Sequence, residues 1–201
     1  MRQHILFQRL SVFFLFLFWI TGCGEEGAIV PQYLVEKSTI SLLENYPGIY
    51  AQALQWEPDA KLAIVGVTIG LGEKNDITAF YDSPNNLSEG VMVKLDVDGS
   101  IVSKTLKYNF PRNEINSEEI INMSEVNIDS ADAWKIFINY PVVASYKKEA
   151  FGCAKLFLVP LPVKDHIRTI WRLSLGECNT NQYEYFYIDA STGEWLQLET
   201  P

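Results

Sequence analysis

The feature that most constrains the fold of this chain is a helical segment followed by strand-like segments of alternating polarity, a series that occurs twice. In the clearest strand-like segment, Val91, Val93 and Leu95 alternate with Met92, Lys94 and Asp96. A period of two residues is typical of a strand with one buried face. Asp98-Gly99 follows this segment and favours a tight hairpin turn. The sequence therefore predicts antiparallel meanders.

The first of two predicted units spans residues 38–107. Pro47 suits the first position of a helix, and four apolar residues then fall near one helix face: Ile49, Ala53, Leu54 and Trp56. Residues 39–45 are a candidate for a preceding helical turn. Proline lacks the N–H that a helix interior needs, which disfavours one continuous helix through Pro47. Strands are expected next, at residues 62–69, 77–81, 91–97 and 101–106.

A polar connector, residues 108–128, leads to the second predicted unit, residues 129–201. Asp129 and Ser130 can each cap a helix by accepting a hydrogen bond from a free backbone amide, and Pro141 is expected to end that helix. Strands are again predicted, at residues 153–160, 168–175, 183–189 and 194–198.

Together these segments predict an α+β fold of two helix-plus-antiparallel-sheet units packed together. Aromatic residues make up 13% of the chain, which indicates a folded body rather than a disordered one. The pattern leaves open whether the two units share one sheet or pack face to face.

Residues 1–22 have the features of an export signal. Arg2 and Arg9 supply positive charge, and the apolar run after them is shorter than a comfortable bilayer span. The motif Ile20-Thr21-Gly22-Cys23 resembles a bacterial lipobox, which implies cleavage before the cysteine and attachment of lipid, such as palmitate, to Cys23. A plain secretory signal and an uncleaved single-helix anchor are the alternatives.

The lipobox resemblance also implies a location. Lipid on Cys23 would hold the protein at a membrane of the bacterial cell envelope, facing the periplasm or the exterior, with residues 23–37 as a tether. Gly24 follows the cysteine, which in Gram-negative lipoproteins implies the outer membrane. An anchor of two or more acyl chains gives stable attachment.

Two further cysteines, Cys153 and Cys178, flank strand-like runs. If these runs pair as an antiparallel hairpin centred near Asp165-His166, the two cysteines come opposite each other near its open end. A disulfide there is geometrically reasonable in an oxidising compartment. Two free, buried thiols are the alternative.

The chain carries 25 Asp and Glu against 16 Lys and Arg, which argues against nucleic acid as a partner and against a basic lipid-binding surface. Only His166 is left once residues 1–22 are removed, so the sequence predicts neither a metal site nor histidine-dependent catalysis. Asp96-Val97-Asp98-Gly99 resembles the start of a calcium loop, but the later ligands are lacking and a hairpin turn is favoured. We therefore expect no catalytic residues, no cofactor and no enzymatic activity.

One candidate binding face is predicted. Tyr183, Tyr185 and Tyr187 recur at a period of two and share one face of a strand, while Phe186 and Ile188 share the other. If the helix covers the second face, the tyrosines either pack against the first unit or form an aromatic patch for a protein or peptide partner.

The C-terminal part of the chain resembles a PepSY domain. Trp171-Arg172-Leu173 is similar to the tryptophan-led strand of that family, and residues 187–194, Tyr-Ile-Asp-Ala-Ser-Thr-Gly-Glu, are similar to its last strand and turn. With the helix start at residues 128–133, the resemblance covers about residues 128–199, and the first unit is similar in layout only. It implies a non-catalytic module that regulates or inhibits a secreted peptidase. The alternative is a structural or assembly accessory lipoprotein of the envelope.

Overall fold

The structure is a computed structural model that describes residues 30–35, 39–69, 76–96, 98–109, 114–116, 119–152, 154–164, 166–176 and 183–197. This part of the chain forms eight strands: β1 Lys61–Thr68, β2 Ile77–Ser83, β3 Asn86–Leu95, β4 Ile101–Lys107, β5 Lys155–Val163, β6 His166–Gly176, β7 Tyr183–Asp189 and β8 Trp195–Leu196. It also forms the helices α1 Gln32–Val35, α2 Leu42–Trp56, α3 Ser130–Ile138 and α4 Pro141–Ala144, and the 3₁₀ turns Met123–Glu125 and Lys148–Phe151.

The eight strands form one antiparallel sheet in the order β4-β3-β2-β1-β5-β6-β7-β8. Consecutive strands pair from β1 to β4 and again from β5 to β8. The two meanders join where β1 pairs with β5, with Val65 opposite Leu158. The strands of both predicted units therefore share one sheet. The unit boundaries at residues 38–107 and 129–201 stay a prediction.

The main hydrophobic core lies between the helices and one face of this sheet. Helix α2 packs against β2, β3 and β4, and helix α3 buries Trp134 and Phe137. Trp171 on β6 is fully buried, and its indole Nε1 donates to the carbonyl of Ile128 at 2.8 Å, which ties the strand to the segment before α3. The α+β class is confirmed, although strand is more abundant than helix.

No helix among the residues described here is both long enough and apolar enough to cross a bilayer.

Helix α2 runs through Pro47 without a break, so the expectation that a helix starts at Pro47 is wrong. Side chains satisfy three amides of its first turn, whose donors otherwise have no intrahelical partner. The pairs are Leu42 N to Ser130 Oγ at 2.9 Å, Leu43 N to Asp129 Oδ1 at 3.0 Å and Glu44 N to Ser41 Oγ at 3.1 Å. This capping starts the helix ahead of the proline and offsets the loss of one N–H within it.

Asp129 and Ser130 thus cap helix α2, although they lie at the start of α3. No side chain hydrogen-bonds to the first turn of α3 from its N-cap position, Asp129. Ser130 is fully buried and also donates to the carbonyl of Ile40 at 2.6 Å. The two residues join the start of α2 to the start of α3 across almost ninety positions of sequence.

Prolines occupy two places where a missing backbone N–H is tolerated. Pro141 begins the short helix α4, where its missing N–H is not needed, directly after α3 ends. Pro160 and Pro162 lie within β5 and pair with β6, beyond Leu158, the last β5 residue paired with β1. Their missing donors therefore fall where one side of β5 has no strand partner.

Candidate functional site

The sheet face that points away from the helices, here called the open face, is the candidate site. A second buried cluster lies on it, formed by Val159, Val163 and Ile170 with Phe157, Leu161, Tyr187 and Leu196. All of these residues belong to strands β5 to β8. The cluster is formed by side chains of these strands, and no residue of a described helix belongs to it.

A single cross-strand row runs over the open face through all eight strands. Each member lies directly opposite the next: Val102, Lys94, Thr78, Gly66, Phe157, Arg172, Tyr187 and Leu196. Directly opposed residues on one face have Cβ atoms about 5 Å apart and interact. The row places one cation, Arg172, between aromatic neighbours on both sides.

Arg172 is held between two aromatic rings. Its guanidinium carbon lies 4.9 Å from the ring centre of Phe157 and 5.3 Å from that of Tyr185, within the range of cation–π attraction. Gly66 lies opposite Phe157, and a Cβ at that position would make only ordinary van der Waals contact with the Phe157 ring, at 3.4 Å. The Nε of Arg172 is buried and hydrogen-bonds to no described residue. These contacts fix the direction in which the guanidinium points.

The three predicted tyrosines all lie on the open face. Tyr183 and Tyr185 are 37% and 43% exposed, and Tyr187 packs into the open-face cluster. Burial raises the pKa of Tyr187, Arg172 acts in the opposite sense, and Tyr185 raises the pKa further. These contacts come from β5 to β8, so among the described residues Tyr185 and Tyr187 pack against their own half of the sheet.

Cations on the open face differ in whether they have an acidic partner. Lys94 lies 3.0 Å from Asp76 and 2.8 Å from Asp96, and these hydrogen-bonded carboxylates raise its pKa to about 12. For Lys104, Lys155 and Arg172, no described carboxylate lies within ion-pairing distance. Arg172 and the two exposed lysines are therefore cations on this face that lack a described counter-charge, as does Lys61, which lies opposite Asp82 at the start of β1.

The turn after β7 forms one end of the sheet and is structural. Asp189 Oδ1 accepts hydrogen bonds from Ser191 N at 2.9 Å, Ser191 Oγ at 2.5 Å and Thr192 N at 3.1 Å, and Oδ2 accepts one from Arg168 at 3.1 Å. Burial of Asp189 works to raise its pKa, but these hydrogen bonds outweigh burial and hold the pKa below its ordinary value. Gly193 takes a positive φ of 76° that L side chains rarely adopt. The residues predicted to form a turn thus form one with its polar groups satisfied.

A polar groove of about 590 Å³ lies beside this turn, with Arg168, Asn127 and Thr192 among its lining residues. The Asp96–Gly99 segment likewise ends β3 and leads into β4, where Gly99 N donates to Asp96 O at 2.9 Å. It is a hairpin turn, as the sequence favours.

Other predicted sites lie outside the described residues or apart from the open-face row. Cys23, Cys153 and Cys178 lie outside the described residues, so the lipid and the disulfide stay predictions. His166 is exposed at the start of β6. Within the described ranges, no group of three His, Cys, Asp or Glu side chains is placed to hold a metal ion.

Sequence reasoning missed the Phe157–Arg172–Tyr185 contact. In the sequence, Arg172 stands out only as part of the Trp171-Arg172-Leu173 resemblance. Its neighbours depend on the register of β5 on β6 and of β6 on β7, which places Phe157 and Tyr187 opposite it. The period-2 pattern of β6, with Trp171 and Leu173 apolar, was the available signal that Arg172 lies on the other face.

The fold is similar to that of a solved protein. A crystal structure of a "putative lipoprotein" from Clostridium difficile 630 matches over 77% of this chain and 91% of that chain, with a TM-score of 0.51 and 16% sequence identity. At this identity the similarity shows the fold alone. No protein-family model matches the chain, and no match was found among curated proteins. The PepSY resemblance of residues 128–199 therefore stays a prediction.

Proposed function

We propose that this chain is a lipid-anchored, non-catalytic module of the bacterial cell envelope that binds a protein or peptide partner on its open face. The observation that carries the proposal is the exposure of Tyr183 and Tyr185, at 37% and 43%, on a sheet face that the described helices leave uncovered. Grouped exposed aromatic side chains are typical of binding surfaces, whereas single exposed apolar residues are ordinary.

The membrane anchor is supported by the lipobox resemblance around Cys23, with residues 1–22 as the cleaved signal peptide. A further support is that the protein of similar fold is itself named a "putative lipoprotein". In this proposal the lipid, palmitate included, holds the domain on the periplasmic or exterior side of a membrane, the outer membrane in a Gram-negative cell.

The partner we propose is a secreted peptidase or its propeptide. The support is the resemblance of residues 187–194 to the PepSY turn, together with the repeated order of one long helix followed by four strands. A two-unit, PepSY-like arrangement within one sheet is part of this proposal. Its non-catalytic character is supported by the exposed position of His166 and by the structural role of Asp189.

Capture from cross-linked membranes tests this function. The wild-type chain and a Val142→Ala control, altered at an exposed apolar residue of α4 on the helix side, should both recover a peptidase or propeptide. A Tyr185→Ala variant with an unchanged melting temperature should lose that partner. Recovery of envelope assembly proteins alone would favour the accessory role, and equal capture by Tyr185→Ala would remove the open face as the binding site.

The anchor has its own test. Labelled palmitate should be incorporated into the wild-type chain and not into Cys23→Ala, and the variant should leave the membrane fraction. A wild-type chain without label would remove the lipid from the proposal and leave the binding face untouched.

A further inference from the structure

Arg172 is a positioned cation without a described counter-charge. Ring contacts to Phe157 and Tyr185 hold it at 4.9 Å and 5.3 Å, and no described carboxylate pairs with it. An arginine fixed in this way has already lost side-chain freedom, so less entropy is lost when its planar guanidinium binds an anionic group. Arginine binds carboxylates with two parallel hydrogen bonds when both of its terminal nitrogens are accessible.

Lys155 adds a second positive charge beside Arg172. Lys155 lies opposite Ser174 and Phe157 lies opposite Arg172, so the two cations are diagonal neighbours on adjacent strands of the same face. Such diagonal positions are about 7–8 Å apart. Lys155 is exposed. Tyr185 lies opposite Ser174 on the far side, so Lys155, Arg172 and Tyr185 surround Ser174 on the open face.

The carboxylates at strand positions of this face do not cancel these charges. Asp82 and Asp189 are only 7% and 4% exposed. Asp189 is paired with Arg168, and Asp82 accepts a hydrogen bond from Tyr108. The chain as a whole is acidic, with 25 Asp and Glu against 16 Lys and Arg. The open face around Arg172 is thus locally basic on an acidic protein.

We propose that Phe157, Arg172, Tyr185 and Lys155, here called the arginine clamp, bind a carboxylate side chain in an extended acidic segment of a partner protein. Arg172 would form the paired hydrogen bonds, Lys155 would add charge, and the rings would contact neighbouring apolar side chains of the segment. This inference rests on the proposed function and adds the chemistry of the partner.

Charge complementarity favours a protein segment over an anionic membrane. Each surface cation contributes only a little to the binding of anionic lipid, and the few cations without a described counter-charge are spread over one face of a chain with net charge −9. An extended acidic segment needs only one or two carboxylates placed at the clamp. Alternate residues of an extended chain point to the same side, which suits a partner that alternates acidic and apolar residues.

Peptide binding tests the clamp. The probe is a capped eight-residue peptide alternating Glu with Val, compared by fluorescence anisotropy with the same peptide carrying Gln for Glu. The protein is the full chain purified from membranes in neutral detergent. We expect the Glu peptide to bind at least about tenfold more tightly than the Gln peptide, and the difference to shrink as salt is added.

Variants assign this preference to the clamp. Arg172→Gln should remove the preference, Arg172→Lys should retain part of it, and Lys155→Gln should reduce it with an unchanged melting temperature. The matched control is Lys135→Gln, since Lys135 lies on helix α3 on the other side of the sheet. Equal binding of the two peptides, or a preference that survives both Arg172→Gln and Lys155→Gln, would overturn the inference.

Two further outcomes distinguish a failure of the clamp proposal from a failure of the proposed function. If vesicles of phosphatidylserine and phosphatidylcholine bind the chain through Arg172 while the Glu peptide does not bind, the anionic ligand is lipid and the clamp proposal falls. If cross-linking still captures a peptidase through Tyr185 but the peptides bind equally, the proposed function stands and the clamp proposal alone is wrong.

Discussion

The hydroxyl of Ser130 should contribute more to the free energy of unfolding than an ordinary exposed helix cap does. Ser130 is fully buried, and its Oγ accepts from Leu42 N at 2.9 Å and donates to Ile40 O at 2.6 Å. Ser130→Ala leaves both backbone groups without this partner, and a buried group left unsatisfied costs about 1–3 kcal/mol. Alanine is the better helix former by about half a kcal/mol or less. With each of the two groups in the lower half of that range, at about 1–2 kcal/mol, the expected net loss of unfolding free energy is about 2–3 kcal/mol.

Ser41→Ala is the matched control, because it removes a hydroxyl from the same helix end. Ser41 Oγ accepts from Glu44 N in an exposed setting at 3.1 Å, so its loss should cost about 1 kcal/mol. Urea denaturation followed by circular dichroism measures both variants. In a heat scan the Ser130 variant should lie about 5–10 °C below the wild type, at roughly 2–4 °C per kcal/mol. A Ser130→Ala variant no less stable than Ser41→Ala would refute the capping argument.

Three other predictions concern the last turn and the cysteines. The pKa of Asp189 is lowered in the folded protein, so Asp189→Asn should be less stable than the wild type. The difference in unfolding free energy should be constant at pH values above the ordinary pKa of 3.8 and should shrink as pH falls through the folded pKa. A difference that grows toward low pH would contradict this. Gly193→Ala should destabilise by more than about 1 kcal/mol and exceed Gly99→Ala, because both have positive φ but only a Cβ at Gly193 meets another side chain, at 3.1 Å; equal melting temperatures would argue against the difference. Peptide mapping without reductant should find Cys153 joined to Cys178, and two alkylatable thiols would exclude that bridge.

Most strands could be predicted because their signal is local. The period-2 pattern and the Asp98-Gly99 turn identify β3 and β4, and the apolar run after Lys61 identifies β1. The start of β3 at Asn86 was missed, since residues 86–90 show little apolar alternation. The pairing of β1 with β5 could not be read from either strand, because it joins residues about ninety positions apart and depends on packing rather than on propensity.

For the capping residues Asp129 and Ser130, the sequence predicts the role but not the helix that they cap. Asp129 and Ser130 are the residue types that cap helices, and the prediction that they do so is correct in kind, yet their partners are the amides of Leu42 and Leu43. Hydrogen bonds between residues so far apart in sequence cannot be predicted from local patterns, because those patterns assign a capping residue to the helix that follows it. Arg172 is similar, because its ring partners come from two other strands. In both cases tertiary contacts decide what a correctly recognised residue does.

The capping of α2 by Asp129 and Ser130 has a consequence for the order in which the chain can fold. The first long helix receives two of its capping side chains from residues that follow β4, and β1 receives its second strand partner from β5, later still. The first hundred residues therefore cannot complete their own structure as they emerge. In a chain that is exported before it folds, this order would keep the first half unfolded during export. Both halves would then reach their final structure together.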